Sequence, residues 1–356
     1  MAFGERIKGL LGFFRRTERH VQAHTRDRVD HVILLDGTMS TLDEGEETNV
    51  GLIYKLLVEA SQSRNIGILY EAGTQWSDWS KTLDIIEGRG INRQIQRTYG
   101  WLASRYRPGD RIFLIGYSRG AYAVRSLAGV IDRVGLVRSG CATERMMREA
   151  YRHYRFETDT ATAARFAADY CHPHVPIELI GVFDTVKSLG FRAPFVWKWE
   201  EVKHAFHNHH IGSGVRHAFH ALALDENREA FSPVMWECPP EHPGRLEQVW
   251  FRGSHGDVGG QLTGFRPARP LSNIPLVWML DKMERCDLPL PEGWRQRFPT
   301  NPDANSVGTM RGWGKYFLAR KRRVIGRDPS ESLHPTAAGR SPRARDLQKQ
   351  AASSPA

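Results

Sequence analysis

Short apolar runs alternate along the chain with longer stretches in which apolar positions recur every three or four residues. The runs at 31–35, 65–70, 111–117, 177–183 and 247–251 predict strands. The helical spacing at about 48–62, 90–105, 121–134, 142–155 and 273–285 predicts helices between and after them. Strands separated by helices imply right-handed crossovers, hence an α/β domain with a mainly parallel sheet and flanking helices. In such sheets ligands bind outside the carboxyl ends of the strands. The residues with chemical character gather at those ends: Asp36-Gly37-Thr38 after the first run, Gly73-Thr74 after the second, Ser118 after the third, Asp184-Thr185 after the fourth and His255 near the end of the fifth.

The sharpest local signal is Gly116-Tyr117-Ser118-Arg119-Gly120, between the apolar run 111–117 and the alanine-rich helical pattern 121–134. Strand, tight turn and helix form the context in which G-x-S-x-G lifts a serine hydroxyl out of the backbone. The flanking glycines let strand and helix approach without a Cβ clash. A serine hydroxyl is a poor nucleophile at neutral pH, so it needs an imidazole as base and an acid to fix the imidazole tautomer. His255, in the glycine-rich loop 253–260, is the expected base. Asp184 is the expected acid, giving the chain order Ser, Asp, His. Asp257, two residues from His255, is the alternative acid, and it also suits a loop-stabilising carboxylate. An oxyanion hole requires two backbone donors. Arg119, directly after the serine, supplies one, and Gly37 or Thr38 is the candidate for the other. Asp36 suits the orientation of that loop or the binding of an ion.

Charge and composition narrow the partners. The chain has 356 residues and a formal net charge of +10, with Lys and Arg concentrated at its ends. Phe3, Ile7, Leu10, Leu11 and Phe14 share one helical face, with Lys8, Arg15, Arg16 and Arg19 opposite. Such a helix can lie on an anionic membrane, and the same pattern fits a helix packed on the domain with its basic side wet. The expected organisation is an amphipathic helix and linker at 1–30, a catalytic domain at 31–318, and a basic, largely disordered tail at 319–356. No nucleic-acid motif accompanies the basic residues, so no specific nucleic acid is expected. No run of eighteen apolar residues and no signal-peptide pattern occurs, which places the protein in the cytoplasm, with a membrane-peripheral alternative. The four cysteines are far apart and predict reduced thiols rather than disulfides or a metal site. The histidines at 204, 207, 209, 210, 217 and 220 lack a carboxylate or cysteine in an ordered set, so no metal or cofactor is expected. Phe191, Phe195, Trp197 and Trp199, in the stretch 187–215, suit a lid or the wall of an apolar acyl pocket, and equally ordinary core packing.

These segments together resemble the α/β-hydrolase-like domain of type VI secretion phospholipase effectors and their bacterial and fungal relatives. The resemblance is carried in order by LDGT at 35–38, YEAGT at 70–74, GDRIFLIGYSRGAY at 109–122, GVFDTV at 181–186, HALALDE at 220–226 and WFRGSHGDVGG at 250–260. It covers roughly 31–290. Phe183 stands where that family usually has tryptophan, and Gly256 where serine is common. The resemblance implies a serine lipase or esterase with Ser118, Asp184 and His255 on the triad positions. Its expected substrate is a lipid, phospholipid or small carboxylic ester. A non-catalytic binding module on the same fold is the alternative; an intact serine, base and acid argue for the enzyme.

Overall fold

The computed structural model describes residues 26–73, 89–156, 160–186, 211–238, 244–311, 318–341 and 344. The amphipathic start, the aromatic stretch 187–210 and the histidines at 204–210 lie outside the described residues.

Seven strands form one parallel sheet in the order β2-β1-β3-β4-β5-β6-β7. They are β1 (Asp30–Leu35), β2 (Ile66–Glu71), β3 (Arg111–Tyr117), β4 (Ile177–Phe183), β5 (Val215–Ala223), β6 (Arg245–Phe251) and β7 (Glu331–Leu333). The principal helices are α1 (Asn49–Ser61), α2 (Arg89–Ala103), α3 (Arg119–Arg133), α4 (Glu144–Phe156), α5 (Thr160–Tyr170), α6 (His255–Gly259) and α7 (Arg269–Arg285). Helices cover both faces of the sheet, which is why the central strands are apolar almost without interruption. Alternation sorts their side chains: Ile33, Leu35, Ile112 and Leu114 join the core under α2, α3 and α4. Val32, Leu34, Phe113 and Ile115 join the opposite core under α1 and α7. The architecture is an α/β fold, one parallel sheet with helices on both faces.

The register aligns the carboxyl ends of the strands. Leu35 lies opposite Gly116, Tyr117 opposite Phe183, Phe183 opposite Ala221 and Ala223 opposite Phe251. The residues that follow these strands therefore share one edge.

Two strands depart from the sequence expectation. β5 lies between β4 and β6, where no apolar run is read as a strand. His217 and His220 sit on this strand, with His220 fully buried and Ala218, Phe219 and Ala221 packed in the core. The second departure lies in the described part of the segment expected as a basic, largely disordered tail. Residues 318–341 are ordered against the sheet: β7 pairs with β6, and Trp250 Nε1 donates to Glu331 at 2.8 Å. Glu331 also accepts from the backbone N–H groups of Gly326, Arg327 and Asp328. The acidic residues of this segment thus fold it locally, and charge counting treats them only as partial neutralisation of the basic ones.

Candidate active site

Ser118 occupies the turn between β3 and α3 with φ 57° and ψ −119°, the left-handed side that non-glycine residues rarely adopt. Such strain persists where the surroundings over-determine it. Here the Ser118 N–H donates to Phe183 O at 3.0 Å, and two glycines permit the packing. A Cβ on Gly116 would sit 2.7 Å from Ala121 Cα, and one on Gly120 would sit 2.0 Å from Leu35 O. Arg119 opens α3, so its N–H has no intrahelical acceptor.

His255 and Asp184 converge on Ser118 from the carboxyl ends of β6 and β4. Ser118 Oγ lies 3.0 Å from His255 Nε2, and His255 Nδ1 lies 2.5 Å from Asp184 Oδ2. Ser118 is 6% exposed, His255 4% and Asp184 0%. A carboxylate only accepts, so Nδ1 carries the proton and donates to Asp184, while Nε2 accepts from the serine hydroxyl. The imidazole is held by more than these bonds. Its backbone N–H donates to Glu226 Oε2 at 3.1 Å, and its ring packs against Tyr117 and Phe231 with centroids 4.9 and 4.7 Å away. Glu226 is itself paired with Arg228 at 2.7 Å.

Asp257, the alternative acid, is engaged elsewhere. Its carboxylate accepts from Ser254 N and Oγ at 2.7 and 2.8 Å, from Ser306 Oγ at 2.5 Å and from Val307 N at 2.8 Å. This is a capping box at the start of α6 tied to the 306–307 loop.

The Asp36 turn beside the serine divides its donors. Gly37 N–H, one of the two candidates for the second oxyanion donor, donates to Asp36 Oδ1 at 2.7 Å. That bond engages the Gly37 amide with the Asp36 side chain. Thr38 is the other candidate: its hydroxyl accepts from the Arg119 guanidinium, with Nε at 2.6 Å, and its carbonyl accepts from Gln261 Nε2 at 2.8 Å. Asp36 also accepts from Thr48 Oγ1 at 2.6 Å and Tyr70 Oη at 2.8 Å. Burial pushes its carboxyl up to about 6, against these donors, which favour the ionised form. Asp36 therefore ties the turn to Thr48 and Tyr70.

Two further residues at the site had no role assigned to them from the sequence, although the first closes the HALALDE segment at 220–226. One is Glu226, behind the His255 backbone. The other is Arg323, whose guanidinium nitrogens lie 2.5 Å from Asp184 Oδ1 and 2.8 Å from Oδ2. Burial alone would raise the Asp184 carboxyl; the Arg323 charge and hydrogen bonds, with the His255 bond, hold it well below the usual carboxylate range. Arg323 belongs to a basic run, Arg320 to Arg323, that locally reads as solvated. His217 and His220 are packed into the sheet: His217 stacks on Phe219, while His220 Nε2 accepts from Thr185 N at 3.1 Å. Burial lowers His220 to about 3. Among the described residues no three ligating side chains gather as they would around a metal.

Residues 30–282 match the model of the type VI secretion system (T6SS) phospholipase effector Tle1-like catalytic domain. An uncharacterised protein of Saccharomyces cerevisiae is 28% identical over 250 residues, covering 62% of this chain and 34% of that protein. Among solved structures, the Tle1 effector bound to the VgrG spike aligns with a TM-score of 0.37 and 16% identity, over 65% of this chain and 51% of that one. An uncharacterised protein from Pseudomonas aeruginosa aligns with a TM-score of 0.40 and 15% identity, over 82% of this chain and 51% of that one. The chain thus spans about half of those solved chains and about a third of the yeast relative. With the family model covering most of its length, the chain belongs to the T6SS Tle1-like phospholipase effector catalytic domain family.

Proposed function

We propose that this chain is a serine hydrolase of carboxylic esters, acting on lipid or phospholipid acyl esters through an acyl-enzyme. The observation that carries the reading is the unbroken line of hydrogen bonds from Ser118 Oγ to His255 Nε2 at 3.0 Å and from His255 Nδ1 to Asp184 at 2.5 Å. In this reading His255 Nε2 takes the hydroxyl proton as Ser118 Oγ attacks the acyl carbonyl. Asp184 holds the tautomer and stabilises the imidazolium that forms. The Arg119 and Thr38 N–H groups receive the charge that develops on the carbonyl oxygen. Collapse expels the alcohol, which leaves with the proton returned by His255. Water then attacks the acyl-enzyme with the same imidazole as base. The phospholipid as substrate is supported by the family; the amphipathic segment 1–20 supports contact with an anionic surface.

The test is hydrolysis across a panel of soluble short-chain esters and phospholipid vesicles, with the full chain, Ser118→Ala and a chain lacking residues 1–20. Ser118→Ala is expected to lose all ester cleavage while keeping its fold. Loss of 1–20 is expected to reduce cleavage on anionic vesicles and leave soluble esters untouched. Cleavage by Ser118→Ala at the full-chain rate would remove the reading, and unchanged vesicle cleavage without 1–20 would remove the membrane contact.

A further inference from the structure

Arg323 lies forty-one residues beyond the family-matched segment, as 323 − 282 shows, yet it touches the deepest member of the hydrogen-bonded line. Its residue is 8% exposed. The two terminal nitrogens fork over the two oxygens of Asp184, a bidentate geometry that fixes a carboxylate in plane and direction. Each nitrogen is also anchored by a carbonyl: Nη1 donates to Ala223 O at 2.8 Å and Nη2 to Phe231 O at 2.6 Å. The guanidinium is thus seated by the end of β5 and by the loop that carries Phe231 against the His255 ring. Asp184 itself has a positive φ of 41°, with Ala223 N–H on Oδ1 at 2.9 Å and His255 Nδ1 on Oδ2.

We propose that Arg323 is a positioning residue for Asp184: its fork keeps the carboxylate charged and aimed at His255 Nδ1, so that the segment 318–341 completes the active site from outside the family-matched region. The proposal rests on the reading of Ser118, His255 and Asp184 as the reacting array. Without the cation, a carboxyl at 0% exposure favours its neutral form, which donates rather than accepts and selects the wrong imidazole tautomer. The cost then falls on the chemical step. Substrate binding is left largely alone, because Arg323 faces the acid and not the serine.

The experiment compares the full chain with Arg323→Met and Arg323→Lys. It measures kcat and KM on a soluble short-chain ester, and the downfield proton resonance of the His255 ring, assigned by its absence in His255→Ala. In Arg323→Met the expected result is a fall in kcat of about 100-fold or more at nearly constant KM, with the ring resonance lost. Added guanidinium ion is expected to restore part of kcat. Arg323→Lys keeps a cation without the fork and is expected between the two. A folded Arg323→Met with unchanged kcat and unchanged ring resonance overturns the proposal. If that variant does not fold, Arg323→Lys decides: a slower kcat with a shifted ring resonance supports the positioning role, and unchanged values overturn it. If the full chain cleaves no ester, the hydrolase reading fails by itself. The ring resonance then decides the role of Arg323 alone: lost in the Arg323 variant, the role stands; unchanged, it falls.

Discussion

Asp184 and Asp257 are both buried carboxylates on the loops around His255, and their partners separate them. Asp184 contacts the imidazole and Arg323; among the described residues the hydrogen bonds of Asp257 come from Ser254, Ser306 and the Val307 N–H. Asp184→Asn is therefore expected to lower turnover by about 10⁴ while the chain stays folded. Asp257→Asn is expected to lower the melting temperature and slow turnover far less, since it breaks the cap of α6. Turnover measured beside thermal melts checks this; the reverse ranking of the two rates would make Asp257 the acid. Asp36 gives a pH signature. Its folded value of about 6 lies above the ordinary 3.8, so it contributes stability that is full below pH 4 and lost as pH rises toward 6. The two values differ by about 2 units, worth roughly 3 kcal/mol. Urea melts of the chain and of Asp36→Asn between pH 4 and 7 are expected to show that slope in the first and lose it in the second. Equal slopes would contradict it. Ser118, Asp184 and His255 were legible because each follows an apolar run that the sheet turns into a strand end. Arg323 was not, because its partner is 139 residues away and nothing local separates it from Arg322.

The tight β3–α3 turn shows how elements rather than single groups hold the site. Gly120 lets α3 approach β1 so closely that any Cβ would collide with Leu35 O, directly before the Asp36 turn. Gly120→Ala is expected to force α3 away from that turn, destabilising the chain by about 1–3 kcal/mol and disconnecting Thr38 from Arg119. Denaturant melts and ester turnover read both effects, and a variant with neither would mean that the turn is looser than this packing implies. Five of the seven strands followed from apolar runs. β5 was masked by its histidines, which burial and His220's bond to Thr185 N–H accommodate. β7 is three residues long and defined by its pairing to β6, so no periodicity could announce it.

At the scale of the molecule, one sheet edge collects residues from five separate parts of the chain. Asp36, Ser118, Asp184, His255 and Arg323 follow four different strand ends and the segment before β7. The parallel order makes this possible, because every strand points its carboxyl end the same way. Among the described residues no helix is long and apolar enough to cross a membrane. The central claim is that this assembly activates one hydroxyl. It is tested most directly by treating the folded chain with a fluorophosphonate probe and locating the adduct by peptide mass spectrometry. The expected result is a single phosphonylated residue, Ser118, with labelling lost in His255→Ala although that variant stays folded. A folded wild-type chain whose Ser118 does not react, or reacts equally well without His255, would contradict the hydrolase and leave a binding module on the same fold.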